Sequence, residues 1–439
     1  MKKRLSFESA ILGENSQENR DTPLFIEITY KEAVRETDTT VDFQSENESA
    51  YPLTLWDRPF VFLNLSFFLV FTNIAFFYLY PLTLNAMGSE HHVIGWVMGL
   101  FSVAAVISRP FLGKLVVLKG EYWVISMGIG VSFVASLGYN LITAVGAGML
   151  LTRTIHGIGF SAFISGSFSL VAKAFPPEKQ GEAFGILGAS LMGAVALAPP
   201  FGEFLVHKWG FHALYMAASG SVILALPTAS IAVHSLSRLT HTDEKPDVKY
   251  LALLRNRSFL FLLISTLIFA HCQSTVPNFL ALIAAEKGVH GGRFFFVSYF
   301  AAVLVLLTMG RLIDRYGKLS FLRLSYPLFS LGILFIPGMI ESPLFSVSAV
   351  LYGTGMGLLF PTHNALAASH GTTNEKPAIM SLFTAVYDTG FITGAVVSGW
   401  LARQTTLNTL FWACGILGFT GFFMVIMAPI IGKVENVKD

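Results

Sequence analysis

The 439-residue chain is 53% hydrophobic and only 13% charged, with a formal net charge of +2 and a mean hydropathy of +0.62. Soluble domains carry about 25% charged residues, so the composition excludes an ordinary water-soluble protein, and near-neutrality argues against nucleic acid as a partner. The only two cysteines, Cys272 and Cys414, lie inside apolar runs, which speaks against a structural disulfide and against a metal cluster.

Residues 1–57 are polar and acid-rich and predict a flexible cytosolic tail. Twelve apolar segments follow. Six lie in the first half, at 60–85, 93–113, 122–142, 145–173, 180–206 and 212–234. Six lie in the second, at 258–284, 293–313, 320–340, 343–369, 377–402 and 407–431. Each is near the ~20 residues that a membrane-crossing helix needs, and in a core without water only helices or closed barrels satisfy the backbone. Short alternating strands of barrel type are absent. The expected domains are therefore a bundle over 58–234, a polar linker over 235–257, a bundle over 258–431 and a short tail over 432–439. One set of connections holds only Lys208, Lys287, Arg293 and Arg403, whereas the other holds the remaining loop cations from Lys114 to Lys438. By the positive-inside rule the termini and the linker are cytoplasmic.

The two halves repeat. Slid by 197 positions, Gly113 falls on Gly310, Leu115 on Leu312, Gly120 on Gly317, Gly193 on Gly390 and Gly202 on Gly399. Repeated halves are how many transporters build a site open to alternate sides. Basic, glycine-bounded loops occupy matching places: Gly113 to Gly120 after the second segment, and Gly310-Arg311-Leu312-Ile313-Asp314-Arg315-Tyr316-Gly317-Lys318 after the eighth.

Six plus six segments, a basic central loop and the Gly-x-Leu-x-Asp-Arg-x-Gly-Lys run resemble the major facilitator superfamily over roughly 58–431. That resemblance implies an all-α membrane protein with twelve transmembrane helices in two pseudo-symmetric bundles. It also implies a gating role for the loop residues Gly310, Asp314, Arg315 and Gly317. In the first-half copy Gly113 and Gly120 are kept, but Val117-Leu118 stand where the family has Asp-Arg, and Glu121 stands where a basic residue is common. Arg153-Thr154-Ile155-His156-Gly157-Ile158-Gly159 is similar to a motif of bacterial efflux members. Gly193 with Ala198-Pro199-Pro200-Phe201-Gly202 is similar to the helix-bend motif of antiporters, with Ala198 where Gly is usual. Gly353-x-Gly355-x-Gly357 and Tyr387-Asp388-Thr389-Gly390 look like bacterial efflux permeases.

Charges are scarce inside the segments, and each buried one needs an internal partner. The proton-coupling candidates are Asp388 as carrier, Arg153 as a fixed positive charge acting on a nearby carboxylate, and His156, three residues on and so on the same helix face. The structural alternatives are an ion pair or hydrogen-bonded plug for Arg153 and a packed polar contact for His156. For Asp388 the alternative is a hydrogen bond to Tyr387, to Ser or Thr neighbours or to a distant arginine. Glu203 reads as an interfacial or gate contact, and Arg109, before Pro110, as a snorkelling or gate-forming arginine. Polar lines in the first, seventh and tenth segments suggest a substrate cavity: Asn64, Asn73, Tyr80, His271, Gln273, Asn278, His363 and Asn364. Interhelical bonding is the alternative for any one of them. Pro81 and Pro277 should bend the first and seventh helices.

No nucleophile–base set and no phosphate-binding loop is legible, so neither an enzyme nor a cofactor is expected. Adjacent His91 and His92 lack further ligands and read as a solvated turn. The expectation is a secondary transporter in a bacterial cell membrane that exports a small organic solute in exchange for protons. One chain holds both halves, so a monomer suffices. Proton-coupled nutrient uptake by the same fold is the alternative, followed by a non-transporting sensor or scaffold whose tail binds a partner.

Overall fold

In the computed structural model the described residues are 55–236, 256–316, 318–370 and 376–435, with side chains left out at 177–178, 309–316, 376–378 and 428–435. They fall in one compact unit, Leu53–Asp439. Nearly all of the predicted N-terminal tail and of the linker 235–257 lie outside the described residues.

Twelve helices follow the apolar pattern. The first half holds α1 Arg58–Ala86, α2 His91–Lys119, α3 Glu121–Leu141, α4 Ala147–Ala174, α5 177–209 and α6 211–236. The second holds α7 Arg257–Glu286, α8 Gly292–Tyr316, α9 Lys318–Leu334 with a further turn at Ile336–Met339, α10 Phe345–Ala367, α11 Lys376–Gln404 and α12 Leu407–Glu435. The connections 86–91, 141–147, 210, 286–292, 339–345 and 404–407 share one end, here the loop side. The opposite end is the terminal side.

Four expectations need correction. The stretch Gly113–Lys119 is helix, because nothing in it breaks α2. The turn is confined to Gly120, whose φ of +82° favours glycine and whose N–H bonds Val116 O at 2.8 Å. Likewise α8 runs helically through residues 310, 314 and 315, whose side chains, with Gly317, lie outside the description. The expected gap between 206 and 212 shrinks to Gly210, at φ +78°. Pro81 follows a 3₁₀ turn at Phe77–Leu79, as a proline that crowds the preceding turn should produce. Pro277, however, sits in an unbroken helix, where Thr275 Oγ1 and Asn278 Nδ2 bond the carbonyls of His271 and Ser274 and brace the same turn.

The surface is that of a membrane protein. All six tryptophans are exposed, from 46% for Trp412 to 81% for Trp56. Trp96, Trp209, Trp400 and Trp412 lie toward the loop side, and Trp56 and Trp123 toward the terminal side. Water would drive such residues inward, whereas membrane interfaces hold them at two levels.

Helix pairings repeat between the halves. In the first, α2 and α3 each pack on α4, and α1 and α3 pack on the α5–α6 run. In the second, α8 and α9 pack on α10, α7 packs on α11 and α12, and α9 on α12. Across the halves α2 meets α11 and α5 meets α8, contacts that the same pseudo-symmetry interchanges. Small residues make them close. A methyl group at Gly95 would come within 2.9 Å of Gly399 Cα, and one at Gly292 within 2.7 Å of Pro200 Cα. Gly95 and Gly292 are themselves 197 positions apart, as are Gly202 and Gly399. At the terminal side a methyl at Gly113, Gly181, Gly185 or Gly188 would meet nothing within 4 Å. The halves are thus sealed against each other at the loop side.

Gly95→Val should force this seal apart. Spin labels at the exposed loop-side positions Asn85 and Thr406 should then move apart relative to the parent chain, with transport lost and expression kept. An unchanged label distance would show that the glycine contact does not hold the halves together.

Candidate functional site

Arg109 on α2 and Asp388 on α11 form an ion pair across the halves. Their side chains are 32% and 17% exposed, so the pair is partly accessible at the seam between the bundles and does not belong to the core of either. It lies 14 residues along α2 from Gly95, about 21 Å toward the terminal side. Asp388 is held in place by its neighbours. A methyl at Gly390 would reach Leu267 O at 2.9 Å, so α11 rides close on α7 there. Tyr387 Oη donates to Gln273 Oε1 on α7 at 2.8 Å, and Phe360 of α10 packs edge-on against the Tyr387 ring. Arg109 sits one residue before Pro110, where its stem can extend along the helix.

Arg153 is elsewhere. It lies six residues from the start of α4, about 9 Å in from the loop side and not at mid-depth, and only 3% of it is exposed. Its guanidinium is caged by aromatic rings, with the carbon 5.1 Å from the Tyr80 centroid, 5.5 Å from Phe101 and 5.8 Å from Phe77. Nη1 donates to Tyr139 Oη at 3.4 Å and Nη2 to Met98 Sδ at 2.7 Å. No carboxylate pairs with it among the described residues. The distant arginine that meets Asp388 is Arg109 and not Arg153. A lone arginine at the centre of a transmembrane helix costs about 2.5–3.5 kcal/mol on insertion scales. A desolvated cation–π contact returns about 2 kcal/mol, so the rings offset a large part of that cost.

His156 is fully buried beside Arg153. Nε2 meets Asn73 Oδ1 at 2.9 Å and Nδ1 meets Tyr139 Oη at 3.4 Å. Asn73 also donates to Ser136 Oγ at 2.7 Å and to Ala218 O at 2.8 Å, so one amide ties α1, α3, α4 and α6 together. The Asn73 amide is thus engaged by groups of its own bundle. His363 is its counterpart on α10, fully buried and bonded to Ser265 Oγ, Tyr326 Oη and Leu359 O. Gln273 and Tyr80 are buried as well.

The polar residues left partly exposed are Asn64, bonded to Ser190 Oγ at 2.9 Å, His271, bonded to Thr393 Oγ1 at 3.2 Å, Asn278 and Asn364. A signal for this division was present in the spacing. At 100° per residue, Asn64 and Asn73 fall on opposite faces of α1, and His271 shares a face with Asn278 but not with Gln273.

Glu203 on α5 makes a contact between the halves at the loop side. Tyr78 Oη donates to its carboxylate, Gly292 N donates to Oε1 at 2.9 Å, and His290 Nδ1 lies 3.8 Å from Oε2. A carboxylate from one half thus caps the N-terminus of α8 in the other, where the helix dipole favours negative charge. The bend motif belongs to this seal. Pro200 is the backbone that Gly292 touches, a methyl at Gly202 would meet Phe76 at 3.1 Å, and Gly193 faces Phe68. The helix continues through Pro199 and Pro200. Sequence reading missed a further pair: buried Glu121 accepts from Lys173 Nζ at 2.6 Å and Ser169 Oγ at 2.9 Å, tying α3 to α4.

Asn73→Leu should lower the stability of the purified chain by about 1–2 kcal/mol, from three interhelical contacts at roughly 0.6 kcal/mol each. Ligand affinity should stay unchanged. Asn64→Leu should do the reverse. A thermal midpoint and a binding isotherm for each variant separate the two roles.

The family model described as Major Facilitator Superfamily matches residues 61–298 and 291–436. The multi-drug resistance efflux pump PmrA of Streptococcus pneumoniae is 21% identical over 367 residues, covering 78% of this chain and 88% of the relative. The staphylopine export protein of Staphylococcus aureus is 22% identical over 362 residues, covering 77% and 87%. Among solved structures, the nucleoside transporter NupG superposes with a TM-score of 0.65 at 16% identity, covering 84% of this chain and 98% of that one. The human organic anion transporter MFSD10 gives 0.60 at 16%, covering 84% and 99%. With its repeated six-helix bundles and a family match over nearly all of the described residues, the chain belongs to the Major Facilitator Superfamily and is a multi-pass membrane transporter of small molecules, not an enzyme.

Proposed function

We propose that the protein exports a small organic solute in exchange for protons, by alternating access of a site between the two halves, and that Asp388 carries the proton. The observation that carries this reading is the Arg109–Asp388 ion pair, which joins the halves and is partly open to the space between them. Export is supported by two of the relatives, one an efflux pump and the other an export protein.

Only the ionised carboxylate holds Arg109. A proton on Asp388 removes the charge that ties α2 to α11 and leaves the guanidinium without its anion. The two protonation states therefore weigh the sealed and unsealed arrangements differently, and coupling requires such a difference. Asn64, His271, Asn278 and Asn364, partly exposed on α1, α7 and α10, are the polar groups offered to the solute. In this reading the loop side faces out, the terminal side and both chain ends face the cytoplasm of a bacterial cell, and a monomer carries out the cycle.

A panel of organic solutes screened by thermal shift on the purified chain supplies the transported compound. In proteoliposomes containing a pH-sensitive dye, Asp388→Asn should cut gradient-driven exchange on the order of tenfold or more while solute binding persists. Exchange that stays at the parent rate would remove Asp388 as the carrier. Solute accumulation with inward proton flow, in place of exchange, would turn the reading to nutrient uptake.

A further inference from the structure

We propose that the aromatic cage around Arg153 is a binding site for a small, singly charged anion, either a halide or a carboxylate group. The guanidinium is 3% exposed, and no ion pair among the described residues includes it. Its Nε–H is buried with no hydrogen-bond partner, and so is the hydroxyl of Tyr80, whose ring lies 5.1 Å from the guanidinium carbon. Two unanswered donors thus sit beside one positive charge that rings stabilise but no anion neutralises. Buried donors without partners are rare and costly, so a cluster of them points to a missing acceptor. The neighbouring polar groups are already engaged, because His156 uses one nitrogen on Asn73 and the other on Tyr139. Water would satisfy the donors but not the charge. An anion satisfies both. Phe77, Phe101, Tyr139 and Met98 crowd the guanidinium, so the occupant is a small ion or the head of a larger molecule and not a bulky polyanion. The site does not depend on the direction of transport or on the coupling ion.

The test uses the full chain purified in detergent. A thiol-reactive dye reports unfolding, since Cys272 and Cys414 are both free and buried. At fixed ionic strength the bulky anion isethionate is replaced stepwise by chloride in one arm and by acetate or benzoate in the other. A saturable rise of a few degrees in the thermal midpoint is expected, as for any ligand that binds the folded state. A rise with chloride alone assigns a free inorganic ion, and a larger rise with carboxylates assigns a carboxylate-bearing solute. Tyr80→Phe should not lower the anion-free midpoint, because it removes a buried hydroxyl that has no partner to lose, and should raise the half-saturating anion concentration several-fold. Arg153→Gln should abolish the response. No shift in either arm overturns the proposal, as does a full response in Arg153→Gln. Should Arg153→Gln fail to fold, unaltered half-saturation in Tyr80→Phe overturns it equally.

Discussion

Two helices from opposite halves approach within van der Waals contact of their backbones only where at least one of them carries no side chain. In this chain that condition is met twice, at Gly95 against Gly399 and at Gly292 against Pro200. The glycines at these contacts recur at the interval that relates the two halves, so one piece of backbone geometry is used at both seams. Much else follows from the close approach. It holds α2 alongside α11 far enough into the membrane for Arg109 to reach Asp388. It also sets the start of α8 against α5, where the Glu203 carboxylate finds the N–H of Gly292.

Within that frame, each charge in the water-poor interior is answered differently, and the answer fits what the charge can do. Glu121 is answered inside one half by Lys173 and Ser169, which fixes α3 on α4 and has no reason to change as the halves move. Arg153 is answered by rings, which stabilise a cation without neutralising it. Asp388 is answered by a partner on the other half, in a partly exposed place. Such a pair gains less from its attraction than a dry one would, but its partial exposure is what the proposed proton exchange requires. A reversible tie between moving bodies needs that compromise.

Much of the fold was legible in the sequence because a bilayer imposes a minimum apolar length, and the segment count survives errors of several residues at each end. The 197-residue interval was legible for the same reason: glycine at a helix contact cannot be exchanged for a larger residue. The partner of Asp388 was not legible. Arg109 lies 279 positions away, and nothing local distinguishes it from Arg153 as a buried cation. The division of polar residues into those that hold a bundle and those that face the space between bundles was readable in part. The helical angle separates Asn64 from Asn73, but which face turns inward depends on Ser136 and Ala218, contributed by other helices.

The halves agree in their scaffolding and differ in their charges. Each has a buried histidine on its fourth helix, bonded to a polar residue on the first helix and a tyrosine on the third, Asn73 and Tyr139 around His156 and Ser265 and Tyr326 around His363, although at different depths, since the interval maps His156 onto Gly353. The positions that carry charge have no such echo. The interval that maps the glycines maps Arg153 onto Val350, Arg109 onto Leu306 and Asp388 onto Leu191. The α2–α11 seam therefore carries an ion pair at mid-depth where the α8–α5 seam carries leucines, and the α5–α8 seam carries a carboxylate at its loop end where its counterpart carries Trp400. A perfectly symmetric pair of seams would respond to protonation alike on both sides of the pseudo-axis. In the proposed cycle a proton on Asp388 would loosen α2 from α11 while the Glu203 contact still held α5 to α8, so the halves would first swing about that intact seam.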